Sequence, residues 1–72
     1  MNKKNKIKIK VNGKYLIISQ KTTIHDLINT TNFSIDKIAI ELNKKIIDKK
    51  KVKKTILNNK DVIEIVHFIG GG

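Results

Sequence analysis

Asn12-Gly13 is the tightest conformational constraint in the sequence. Both central positions of a two-residue hairpin turn need positive φ, and this dipeptide accepts it most readily. The flanks agree with such a turn. Ile7, Ile9 and Val11 alternate with Lys8 and Lys10, and Tyr15-Leu16-Ile17-Ile18 follows, with Leu16 and Ile18 on one face. A period of two with one apolar face marks a half-buried strand. Residues 7–18 therefore predict a β-hairpin.

A helix is predicted next. Thr23 can cap it, and Asp26 three residues on completes a Thr-x-x-Asp box that satisfies exposed N–H groups of the first turn. Ile24, Leu27 and Ile28 have the spacing of a single buried stripe. Asn29-Thr30-Thr31-Asn32 are poor helix formers and end it, with Phe33 and Ile35 expected to tuck beneath. Ile38 to Asn43 alternates again as a third strand. A turn is expected at Lys44-Lys45, and a short fourth strand at Ile46-Ile47. Asp48 to Lys54 holds five lysines around Val52 and reads as a solvated loop or a single helical turn pinned by Val52. Ile56-Leu57 is expected in the core, and Asn58 to Asp61 is a turn.

Val62 to Ile69 is almost continuously apolar, which predicts a central strand buried on both faces. A helix crossing from the first hairpin to later strands must lie across one face of a sheet. The last strand then takes the middle, parallel to the first. The expectation is an α+β β-grasp, the ubiquitin-like roll: a mixed sheet of four to five strands with one main helix on one face.

The chain then ends on Gly70-Gly71-Gly72, when only Gly13 precedes them. Glycine brings no side chain to a core and lets backbone pass through a narrow gap. Two readings fit the tail taken alone. It is a reactive terminal carboxylate threaded into a partner's active site, or it is a frayed end.

Composition narrows the function classes. Seventy-two residues make one domain, 1–72, with residues 1–6 as a basic extension and 70–72 as a flexible glycine tail. There is no cysteine, so no disulfide or thiol chemistry is available, and two histidines without clustered carboxylates do not make a metal site. The basic start leads into an alternating pattern rather than an apolar run, so neither a signal peptide nor a membrane span is expected. The net charge is +10 and all sixteen basic residues are lysine. Arginine, the residue of bidentate base and phosphate contacts, is missing. Tyr15, Phe33 and Phe68 form no stacking stripe. The charge invites a nucleic-acid reading, and these two details argue against specific recognition.

Four blocks carry a family resemblance. They are Ile7-x-Ile9-x-Val11-Asn12-Gly13, Thr23-Ile24-x-Asp26-Leu27-Ile28, Ile38-Ala39-Ile40-Glu41-Leu42-Asn43, and Asp61 through Gly72. Together they resemble the ThiS family, the sulfur carriers of thiamine biosynthesis, from Ile7 to Gly72. The pairing of an Ala-Ile-Glu-Leu-Asn strand with a Glu-Ile-Val-His-Phe strand that runs into glycines is the specific part. The lysine-rich start and the basic 49–54 loop depart from the family pattern.

The resemblance implies a carrier with no catalytic side chain and no bound cofactor or metal. A ubiquitin-activating-type adenylyltransferase would use ATP to adenylate the Gly72 carboxylate. A cysteine-derived persulfide would displace AMP, leaving a Gly72 thiocarboxylate, and thiazole synthase would take the sulfur. Gly70 and Gly71 would thread the tail, and Phe68 and Ile69 would anchor it on a partner. The implied setting is the cytoplasm, or a plastid stroma, without a membrane partner.

Other readings stand beside this one. The small subunit of molybdopterin synthase and ubiquitin-like modifiers share the glycine terminus, and a small basic nucleic-acid-binding protein would belong to a different class. Phe68 fits the core as well as it fits an anchor. His67 shares a strand parity with Ile63 and Ile65, so it reads as partly buried and hydrogen-bonded. His25 sits at a helix start with no nucleophile nearby. Glu41 and Glu64 read as strand carboxylates paired with lysines.

Overall fold

A computed structural model describes residues 5–68. Strand β1 (Lys6–Val11) turns back into β2 (Lys14–Ser19), which pairs with it antiparallel from Lys6 opposite Ser19 to Val11 opposite Lys14. Asn12 and Gly13 take φ of 49° and 85°, as the sequence predicts for a turn matched to the twist of the strands.

Helix α1 spans Ile24–Asn29 behind Thr23. The Thr23 hydroxyl accepts from the Asp26 N–H at 3.0 Å, and the Asp26 carboxylate accepts from the Thr23 N–H at 3.1 Å. The helix stops where Thr30 and Thr31 donate their hydroxyls back to the carbonyls of Leu27 and Ile28, both at 2.7 Å. Two other first-turn donors are satisfied from a distance. Ile24 N–H donates to the Thr55 carbonyl and His25 N–H to that of Val52. The lysine-rich stretch is thereby tied to the helix start, forming a 3₁₀ turn at Lys49–Lys51 with Val52 buried below it.

A second 3₁₀ turn at Ile35–Lys37 leads into β3 (Ile38–Leu42), followed by β4 (Lys45–Ile46) and β5 (Val62–His67). The sheet order is β2-β1-β5-β3-β4, with β1 and β5 parallel and the other pairs antiparallel. The core lies between the sheet and α1: Ile7, Ile9, Ile38, Ile40, Ile63 and Ile65 from the strands meet Ile24, Leu27 and Ile28, closed by Val52 and Leu57. Phe33 and Ile35 pack at its edge as expected.

Four expectations need correction. The second tight turn is at Asn43-Lys44 (φ 53° and 73°), so β4 begins one residue earlier than predicted. Asparagine tolerates positive φ better than lysine does, and it takes the first turn position. Ile56 is not core. It is 49% exposed while Leu57 is buried, because adjacent residues of an extended bridge to Thr23 point opposite ways. Strand β5 is central but buried on one face only: Ile63 and Ile65 face α1, whereas Val62, Glu64 and Val66 face outward. The sheet carries its helix on one side, so the other face of even its middle strand stays open. Finally, β5 runs to His67, and Ile69 and Gly70–Gly72 lie outside the described residues.

Candidate functional site

The stretch singled out by the sequence is the exit of β5. From Ile63 to His67 the strand is paired with β3, from Leu42 to Ile38. On its other side β1 reaches only to Val11, opposite Ile63. There the Asn12 side chain takes over the ladder. Its carbonyl oxygen accepts from Ile65 N–H at 2.7 Å, and its amide donates to the Ile65 carbonyl at 3.2 Å. Beyond the strand, Phe68 N–H donates to the Lys37 carbonyl at 2.7 Å. The chain therefore leaves from the centre of the sheet with its backbone held as far as Phe68.

Asn43 does the same at the start of β5. Its side-chain oxygen accepts from Val62 N–H at 2.9 Å and its amide donates to the Asp61 carboxylate at 3.0 Å. Both asparagines occupy the first position of a positive-φ turn, and each clamps one flank of the same strand. Sequence reading assigned the turn role of Asn12 but placed Asn43 at the end of a strand, and it missed the clamp at both.

Side chains at the exit form an exposed collar. Phe68 is 47% exposed and stands outside the hydrophobic cluster. The Lys49 ammonium lies 5.8 Å from its ring centroid. His67 keeps the predicted parity but is exposed rather than partly buried. Its ring stands 5.2 Å from that of Phe33, tilted by 35°. Val66, on the open face of the sheet, adds apolar surface beside Ala39. Glu64 stands directly opposite Glu41 rather than a lysine. Sequence reading expected Val62 and Val66 to be buried, and the parity they share with Glu64 is the signal that would have marked them as surface.

The described residues offer little chemistry of their own. No group of three or more His, Cys, Asp or Glu able to hold a metal occurs among them. No helix among them is long and apolar enough to cross a membrane. The Asp26 carboxyl is moved below its ordinary value, chiefly by the Thr23 N–H that it accepts. It belongs to the helix cap, away from the strand exit. Among the described residues, β5 is thus a well-held strand whose backbone restraint reaches Phe68.

Comparison with known proteins gives a consistent result. The family model described as the ThiS family matches residues 5–72. The sulfur carrier protein ThiS of Bacillus subtilis (strain 168) is 40% identical over 65 residues, covering 89% of this chain and 98% of that protein. A thiazole synthase of Magnetococcus marinus is 36% identical over 66 residues, 92% of this chain, although the match spans 20% of its own length. The crystal structure of a thiamine biosynthesis protein (ThiS) from Geobacter metallireducens shares the fold. Its TM-score is 0.78 at 22% identity, with 92% of this chain and 100% of that one covered.

Proposed function

The chain belongs to the ThiS family of sulfur carriers in thiamine biosynthesis, and from that premise we propose that the sulfur travels on the carboxyl group of Gly72. The match to the family model through residue 72 is the observation that carries this reading. A carboxylate resists a sulfur nucleophile because its charge repels attack and oxygen is a poor leaving group. Attack of a Gly72 carboxylate oxygen on the α-phosphorus of ATP, with pyrophosphate leaving, removes both obstacles. A persulfide on a donor enzyme then attacks the acyl carbon and AMP departs. A second thiol cleaves the resulting sulfur–sulfur bond, so one disulfide forms on the donor side and the Gly72 thiocarboxylate is released. The sulfur of that group is anionic at neutral pH, and an anionic sulfur is the reactive form.

The roles divide accordingly. Gly70 and Gly71 give the tail its clearance, and Phe68 and Ile69 seat it on a partner. The adenylating enzyme supplies the ATP site, and thiazole synthase is the acceptor. The chain is a substrate of both and catalyses neither step. It works where those enzymes do, in the cytoplasm or a plastid stroma.

Co-purification tests the choice of acceptor. The tagged protein is expected to retain thiazole synthase. Retention of a molybdopterin synthase large subunit in its place would move the chain to the other carrier class.

A further inference from the structure

We propose that the open edge of β2 is a docking strip for an extended apolar segment flanked by carboxylates, which joins the sheet as an additional strand. This surface is separate from the β5 exit and does not depend on the sulfur-carrier reading.

The sheet order leaves two edges, β4 and β2. Strand β4 is two residues long, too short to template another chain. Strand β2 has six residues and carries neither a proline nor a charge between Tyr15 and Ser19, so it lacks the usual protections of an edge. Register identifies which of its backbone groups are open. Val11 and Lys14 close the two-residue turn as a hydrogen-bonded pair, and such pairs alternate along an antiparallel ladder. Leu16 opposite Ile9 and Ile18 opposite Ile7 therefore bond to β1. Tyr15, Ile17 and Ser19 direct their backbone groups outward. The Ser19 carbonyl is occupied by the Thr22 hydroxyl at 2.6 Å. Among the described residues, the N–H groups of Tyr15, Ile17 and Ser19 and the carbonyls of Tyr15 and Ile17 remain as an open row.

Two side chains of this row, ahead of the polar Ser19, are large and uncovered: Tyr15 is 66% exposed and Ile17 58%. Behind it lies an open groove of about 460 Å³ between β2 and α1, whose walls include Leu16, Ile18 and Leu27. An incoming strand would place alternate side chains on the open face beside Tyr15 and Ile17 and into this groove.

Charge selects the occupant. Lys14 begins β2, Lys21 follows its end, and Lys6 lines the groove. The ammonium groups of Lys8 and Lys10 lie 5.0 and 5.1 Å from the Tyr15 ring centroid. Among the described residues the one carboxylate on the groove, Asp26, already accepts the Thr23 N–H. A second copy of a chain with net charge +10 would be repelled from such a strip, whereas flanking aspartates would be attracted.

The test uses the full chain, nitrogen-15 labelled, at low salt. It is titrated with the capped peptide Asp-Asp-Val-Ile-Thr-Val-Asp-Asp and with a twin carrying lysines in place of the aspartates. The expected result is saturable shifts centred on the amides of Tyr15, Ile17 and Ser19, with slowed hydrogen exchange there. The lysine twin should bind at least about tenfold more weakly. Ile17→Pro should abolish binding, because it removes an outward donor that β1 does not use. Should that variant not fold, Ile17→Asp keeps the donor but sets a carboxylate against the acidic flanks, and it too should abolish binding. The proposal is overturned if neither peptide binds, if both bind equally, or if the shifts map elsewhere. It is also overturned if the same amides shift with protein concentration alone, which would assign the edge to a second copy.

Discussion

Asn12 shows how much one residue can do here. Its positive φ makes the hairpin turn, and its amide completes the β5 ladder at Ile65. The turn role is local and could be read from two letters. The clamp could not, because it exists only once β5, some fifty positions later, has been laid beside β1. Asn12→Gly preserves the backbone preference and deletes both side-chain bonds. It should lower unfolding stability by about 1–2 kcal/mol in urea titrations, and an unchanged midpoint would mean that the clamp contributes nothing. Thr23 and Asp26 are the opposite case, a cap read in full from sequence because its bonds span three residues. Asp26 is held below the ordinary carboxyl value of 3.8 first by the Thr23 N–H, then by the Thr23 hydroxyl. A folded pKa below the unfolded one means that the folded state binds fewer protons. The stabilisation is therefore present above 3.8 and is lost as pH falls through the folded value. Wild type should exceed Asp26→Asn in stability at neutral pH, and the gap should close in acid. A gap that persists at low pH would rule out the carboxylate as its source.

The elements divide along the same line. The first hairpin and α1 were legible because periodicity and caps are local signals, and the position of β5 followed from the crossover that places it beside β1. Its burial was misjudged. An unbroken apolar run fits a two-sided strand, but in a domain with a single helical layer the second face has nothing to meet. Glu64 was the sign of this within the run, as Glu41 was within β3. One-sided burial makes a sharp prediction. Ile63, with no exposed surface, should cost about 2–5 kcal/mol on change to Ala. Val66, 55% exposed, should cost no more than about 0.5 kcal/mol. Comparable losses at the two positions, measured by denaturant unfolding, would restore the two-sided reading. The turn at Asn43-Lys44 was displaced by one residue for a similar reason, since either placement satisfies the alternation and only backbone conformation separates them.

At the scale of the molecule, a small body with an isoleucine-rich core holds one strand by three kinds of restraint: a parallel neighbour, an antiparallel neighbour and two asparagine clamps. Among the described residues that restraint reaches Phe68, and Gly72, to which the proposal assigns the chemistry, lies outside them. Such a division predicts that stability and sulfur transfer respond to different substitutions, with Gly71→Val leaving unfolding unaltered and stopping adenylation. The function was legible chiefly through the glycine terminus and the family resemblance, which runs through residue 72. The most direct measurement is intact and fragment mass spectrometry of the protein after incubation with a ubiquitin-activating-type adenylyltransferase, ATP and a persulfide donor. The account predicts a gain equal to exchange of one oxygen for sulfur, located at Gly72 and absent when Gly72 is deleted. A gain that maps to a lysine, or no gain at all with an active enzyme, would contradict it.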